Sequence, residues 1–322
     1  MIPRRCLLTG AAALAATSPR RARAAGQTLS LLVDAAAGSG ADRGARAFAP
    51  FLERHLPRTA VEIHNLPDDS GLAAYRALAQ ADPSGRVVGW VATPALPARM
   101  VDRAGGALMQ RLTLLGAVQR EPIAIVSLAA TPIGGGHDAI RRTSATGEGA
   151  PLGTPPPGSP PHLAALRMQE IADTPLNIVA FPSAAAVRQA VLAGNVAAAM
   201  LGLGDVIAML RDGRLVGICL NGGERVVTFP AMPALRDSGL RLTAAIRRGI
   251  AAPRGLAPET TERLRAALRT IIADPEFRAQ ADAGGFEADL VDGSTWSAEA
   301  EADRAGLALL WQKAPWLPAH TG

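Results

Sequence analysis

Short apolar runs alternate with longer amphipathic stretches along most of this chain, and that alternation restricts it to an α/β architecture with mainly parallel sheets. Runs rich in Leu, Val and Ile predict strands at Thr28–Val33, Ala60–His64, Val87–Ala92, Leu112–Val118 and Ile123–Leu128. Further strands are expected at Leu176–Ala180, Val196–Leu201, Leu215–Leu220 and Ile246–Ala251. Helical periodicity fills Ala41–Leu56, where Phe48, Phe51 and Leu52 share a face, and Leu72–Gln80, His162–Ala172 and Ala184–Ala193. It returns in a stretch ending at Arg211 and at Thr260–Ala273, Pro275–Ala283 and Ser297–Gln312. Thr131–Gly136 and Arg141–Pro161, dense in Gly, Pro, Ser and Thr, read as loops. With 322 residues the chain exceeds one ordinary core, so two domains are expected.

Residues 1–24 read as a leader. Arg4-Arg5 precede a short apolar run from Cys6 to Thr17, and Ala22-Arg23-Ala24 supplies a small-residue cleavage site. The paired arginines and the Ala-rich run also resemble a twin-arginine signal, with the general secretory route as the alternative. The apolar run is too short to span a bilayer, and nothing after it is long enough either, so the mature chain is expected without a membrane span. Cleavage also changes the charge. The 33 Lys+Arg exceed the 28 Asp+Glu by five, and Arg4, Arg5, Arg20, Arg21 and Arg23 are those five. A formally neutral mature chain carries no electrostatic footprint for nucleic acid. Cys219 remains alone in an apolar strand, where it reads as a core thiol; no internal disulfide and no zinc cluster follow from it.

Ligands of parallel α/β sheets sit beyond the carboxyl ends of strands, at helix starts. The first such place, Asp34 through Asp42, joins a strand, a turn of small residues and a helix start. Backbone N–H groups of Gly38, Ser39 and Gly40 are expected to approach an anion there, and Asp42 suits the helix start as a cap. Other chemistry is thin. Gly38-x-Gly40-x-x-x-Gly44, with Glu62 on the next strand, is similar to a dinucleotide-binding turn, but Arg43 stands where the third glycine belongs. The five histidines form no metal pair, and there is no Gly-x-Ser-x-Gly elbow. No catalytic residue, metal or cofactor is therefore expected. With Tyr75 the only tyrosine and aromatic residues at 3%, a sugar-stacking cleft is disfavoured.

Leu31–Asp42, Val61–Gly71, Ala81–Thr93 and Pro253–Pro275 resemble the extracytoplasmic solute receptors of tripartite tricarboxylate transporters, the Bug-type periplasmic binding proteins. Their first loop commonly reads Pro-x-Pro-Ala-Gly-Gly-x-x-Asp; here Ala37-Gly38 and Asp42 persist and both prolines are lost. Glu62-Ile63-His64-Asn65-Leu66-Pro67 resembles the family's Glu-Asn-Arg-Pro strand end. Gly153-Thr154, Gly158-Ser159 and His162-Leu163-Ala164 lie where the family has a polar turn before a His-Leu-Ala helix. Phe181-Pro182-Ser183 replaces a Pro-Tyr-Lys-Gly turn, and Ala252-Pro253-Arg254-Gly255 with Ala273-Asp274-Pro275 matches the C-terminal pattern.

The resemblance implies a two-lobed Venus-flytrap fold of the type II-like periplasmic kind, each lobe a mainly parallel sheet flanked by helices. Residues 25–130 and 223–322 would form one lobe and 131–222 the other. It implies a small carboxylate or related polar solute held between them, with transporter membrane subunits as possible partners and a monomeric receptor in the periplasm. The expected contacts are Ala37, Gly38, Ser39, Gly40, Asp42 and Thr93 from one lobe, and Thr154, Gly158, Ser159, Phe181 and Ser183 from the other. Two aspartates common in the family are replaced by Ala197 and Leu201, and Pro155-Pro156-Pro157 removes N–H donors from the polar turn. These losses keep open a receptor-like protein with a degenerate cleft serving sensing or protein contact, and the Gly38–Gly44 turn keeps open, as the lesser alternative, a dinucleotide-dependent α/β enzyme.

Overall fold

In the computed structural model, residues 26–103, 105–145, 149–221, 229, 232–242 and 244–317 are described, and the expected leader at 1–24 lies outside them. The chain begins with β1 (Gln27–Val33), whose alternate residues Leu29, Leu31 and Val33 are buried. Ser39 caps α1 (Gly40–His55) by accepting from the Asp42 N–H, and the helix buries Phe48, Phe51 and Leu52 as its spacing predicts. β2 (Thr59–Asn65), α2 (Leu72–Gln80), β3 (Val87–Thr93), α3 (Ala95–Asp102) and the single turn α4 (Gly106–Met109) follow. Then comes β4 (Leu112–Leu128), a strand of 17 residues.

Two strands were expected over β4, Leu112–Val118 and Ile123–Leu128, with Arg120-Glu121-Pro122 outside both. The structure runs one strand through all three. Arg120 pairs with Glu287, Glu121 with Arg248, and Pro122 lies opposite Ala245, so neither charge is left unmatched. β4 thereby belongs to two sheets. Leu112–Pro122 pairs with β9 (Ala245–Pro253) and β10 (Glu287–Asp292), in the order β2-β1-β3-β9-β4-β10. Ile123–Leu128 pairs with β7 (Ala198–Gly202) and β8 (Leu215–Asn221), in the order β8-β4-β7-β5-β6. β1, β2 and β3 are mutually parallel, as are β5 (Leu152–Thr154), β6 (Ile178–Ala180) and β7; the pairs made by β4 and β9 are antiparallel.

Both faces of each sheet are covered, giving two α/β lobes. Phe48, Trp90 and Phe277 pack on one face of the first sheet, where α1, α9 (Pro258–Ala273) and α10 (Pro275–Gly284) lie; Tyr75 and Trp296 pack on the other. The second sheet separates a cluster around Ile125 and Met200 from one around Val126 and Leu201. Leu235, Leu240 and Leu242 join the Ile125 cluster. Cys219 is buried in β8, where lack of solvation pushes its thiol up to about 12. Helices α5 (Gly136–Thr143), α6 (Pro160–Ile171), α7 (Ala184–Leu192) and α8 (Leu203–Arg211) complete the lobe. The long α11 (Gly293–Lys313) touches both lobes: Trp296 sits in the first core, while Leu307 and Leu310 pack with Ala98 of α3 and Leu163 of α6.

Five elements escape the sequence reading, the single turn α4 among them. α3 begins with a proline in its first turn; α5 offers only Ala139 and Ile140 as buried alkyl groups; β5 is three residues inside a Gly/Pro-rich stretch; β10 is an acidic strand. None carries a periodic apolar signal of useful length. No helix among the described residues is long and apolar enough to cross a membrane.

Candidate functional site

A cavity of ≈ 720 Å³ lies where the two lobes face each other. Five helix starts reach its wall: Ser39-Gly40 of α1, Ala95 of α3, Ser159-Pro160 of α6, Ser183-Ala184 of α7 and Asp205 of α8. Each follows a strand, so the site occupies the carboxyl ends of both parallel sheet halves. A helix start presents unpaired N–H groups and about half a positive charge, which makes this wall receptive to an anion.

The loop from Asp34 to Ala41 forms one side. Gly38 takes φ +80, a left-handed backbone that glycine adopts freely. Its N–H donates to Asp42 Oδ2 at 2.8 Å, and the Ser39 N–H to the Ala36 carbonyl at 3.1 Å. Two of the three donors expected for a ligand are thus used internally, leaving Gly40 and Ala41 in the first turn as the open ones. Behind the loop the Tyr75 hydroxyl donates to Asp34. Burial pushes Asp34 above the ordinary carboxylate range against the pull of that bond, and burial with the Asp34 charge holds Tyr75 well above its usual value.

Four arginines complete the wall, each held by a carboxylate. Arg99 Nη2 lies 2.5 Å from Asp102 Oδ2, which also accepts from Trp316 Nε1 at 2.6 Å. Arg248 pairs with Glu121, whose other oxygen accepts the Gly204 N–H at 2.9 Å. Arg43 Nη2 and Arg188 Nη1 both reach Asp205 Oδ1, at 2.7 and 3.3 Å. Asp205 stands over Gly40: a Cβ there would lie 3.4 Å from Oδ1. Burial, then the Glu121 charge, raises the Asp205 pKa, and Arg43 opposes them. On the second lobe the Pro155-Pro156-Pro157 turn rests on Arg99 through Gly158, at φ +74, where a Cβ would fall 1.8 Å from Arg99 Nη2.

Of the residues expected from sequence, Ala37, Gly38, Ser39, Gly40, Gly158, Ser159 and Ser183 lie on this wall. The Ser159 hydroxyl is buried without a partner, whereas that of Ser183 accepts from Ala186 N–H at 3.1 Å as a helix cap. Four others lie off it. Asp42 is 2% exposed and turned inward, bonded to Gly38, Arg46 and Asn65, so it serves the loop. Thr93 accepts from Trp296 Nε1 at 3.1 Å and opens to a separate cavity of ≈ 370 Å³ with Arg120, Arg167 and Arg247. Thr154 is fully buried in the second sheet, its hydroxyl unpartnered. The Phe181 ring packs against Gly153 and the second core. Glu62 lies on exposed β2, 3.9 Å from His64 and away from the cavity, and Gly44 is inside α1 beside Trp90, so the dinucleotide arrangement is not formed. No cluster of three metal-ligating side chains occurs among the described residues.

The sequence reading missed Asp34, Arg43, Arg99, Arg188, Asp205 and Arg248. Asp205 carried a usable signal, since it opens a helix directly after a strand. Arg248 interrupts an apolar strand, which is another.

Two α/β lobes joined by shared strands, with a helix-rimmed cavity between them, define a binding protein of the two-lobed periplasmic class. Residues 45–298 match the tripartite tricarboxylate transporter family receptor model, and the chain belongs to that family. A UPF0065 protein of Bordetella bronchiseptica is 26% identical over 256 residues, covering 78% of this chain and 74% of that one. Among solved structures, a TctC solute binding protein from Polaromonas is 24% identical with a TM-score of 0.72, covering 89% of this chain and 99% of that one. MatC from Rhodopseudomonas palustris, with bound malate, is 19% identical with a TM-score of 0.75, over 88% of this chain and 98% of that one.

Proposed function

We propose that this protein is a periplasmic receptor that captures a small carboxylate between its two lobes for a tripartite tricarboxylate-type transporter. The carrying observation is the convergence of five helix starts and four arginines on one cavity. That wall stabilises a bound anion by dipoles and charge. The cavity volume, ≈ 720 Å³, suits a small metabolite. Malate bound to the Rhodopseudomonas relative supports the carboxylate class. The leader at 1–24 would deliver the chain to the periplasm, where a monomer would present closed lobes to membrane subunits. In this reading the lobe boundaries at 130/131 and 222/223 move so that Ile123–Leu128 and the 232–242 segment go with the second sheet.

A screen of mono-, di- and tricarboxylates by thermal denaturation tests the reading. A true ligand at ~100 times its dissociation constant stabilises the folded state by ~2.7 kcal/mol, a clear rise in melting temperature. If none of them moves the transition, the cleft is degenerate and the reading fails.

A further inference from the structure

The charges around the cavity are not evenly matched. Arg99 and Arg248 each rest on a carboxylate of their own lobe's sheet or helix, Asp102 and Glu121. The Arg99 guanidinium is moreover 4% exposed and covered by Gly158, so it offers no free face to a solute. Where the wall also carries the Arg248–Glu121 pair, two guanidiniums share one carboxylate, since Arg43 and Arg188 both bond to Asp205 Oδ1. That part of the wall carries one positive charge beyond what Asp205 neutralises, beside the open N–H groups at the start of α1. The wall also holds groups of another kind: the Asp34 carboxyl, which accepts from the Tyr75 hydroxyl behind it, and the Ser159 hydroxyl, which has no hydrogen-bond partner.

Resting on the carboxylate-receptor reading, we propose that the cavity selects solutes with a single carboxylate and a neutral hydrogen-bonding far end, and that Asp205 sets this limit. Asp205 occupies donors that a second solute carboxylate would need. It comes from the second lobe and sits over Gly40 of the first, so it fills the place of a solute anion from within the protein. A first carboxylate completes the Arg43–Arg188 pair. A second one finds no unmatched cation among the described residues of the wall, because Asp205 already takes the other share of the Arg43–Arg188 charge and Arg99 and Arg248 are each paired, and an unmatched buried charge is strongly disfavoured.

Calorimetric titration of the mature protein with length-matched pairs tests this: succinate against succinamate, glutarate against glutaramate, adipate against adipamate. In the wild type at least one monoamide binds about tenfold or more tighter than its dicarboxylate, as an uncompensated charge requires. Asp205→Asn keeps the shape, releases one guanidinium, and moves that ratio about tenfold or more toward the dicarboxylate. Arg188→Gln acts in the opposite sense, weakening every carboxylate by removing the surplus charge. A wild type that prefers the dicarboxylates, or a ratio that Asp205→Asn leaves unchanged, overturns the proposal while the receptor reading stands. Absence of heat with every probe in wild type and both variants overturns the two together.

Discussion

His162, in the first turn of α6, is 6% exposed and accepts the Gly158 N–H at 3.4 Å. Burial first, and the Arg99 charge second, lower its pKa to about 4. An unfolded histidine takes its proton near 6.5, so between the two values the unfolded chain binds more protons. The stabilisation from a neutral His162 is complete above pH 6.5 and is lost as pH falls toward 4, a swing of roughly 3 kcal/mol. Urea unfolding midpoints at pH 7.5 and 4.5 should therefore diverge more in the wild type than in His162→Gln; equal divergence would remove His162 as the cause. Sequence reading left this histidine as a surface or a structural residue, and it is buried. It also found Gly38–Gly40, Ser159 and Ser183, because small and hydroxylated residues at strand-to-helix turns have a local meaning. Asp34 lacked such meaning, and the helix-start position of Asp205 did not point to its partners. Their surroundings come from partners 41 and 162 residues distant, Tyr75 and Arg43, and no local pattern encodes a contact of that span.

Elements show the same division. α1, α2, β1 and α9 were legible because each buries a periodic apolar face, and β3 because it is a short continuous apolar run. β5, α5 and β10 were not, since they are held by neighbours that the sequence does not place beside them. The turn before α2 shows how much a short irregular element contributes. Gly71 stands at φ +89, and a Cβ on it would lie 2.5 Å from the Asp34 carbonyl oxygen. Gly71→Ala therefore meets left-handed strain of ~1–2 kcal/mol and a backbone collision together. The expected loss is about 2 kcal/mol or more, read as a lowered denaturant midpoint at unchanged slope. A midpoint equal to wild type would mean that the Asp34 loop yields easily, and would weaken its standing as a rigid cavity wall.

At the scale of the molecule, neither lobe is a separable unit. β4 pairs within both sheets, and α11 contributes Trp296 to one core and Leu307 and Leu310 to a cluster with α3 and α6. Ion pairs add further ties, with Lys313 on Glu170 at 2.5 Å and Arg43 on Asp205. Unfolding is expected as one transition, with far-ultraviolet dichroism and tryptophan fluorescence coinciding; two resolved steps would show lobes that fold independently. β4 has one more consequence. Side chains alternate along a strand with a period of two, and from Gln119 to Ile125 β4 carries that alternation without a register shift from the first sheet into the second. A single residue inserted near Pro122 would turn Ile123, Ile125 and the rest of the strand to the opposite face, rotating the second lobe's core out of phase with the first. The aim of one half of the cleft at the other is thus inherited through the parity of one strand, so the number of residues in this stretch constrains the cleft as firmly as their kind.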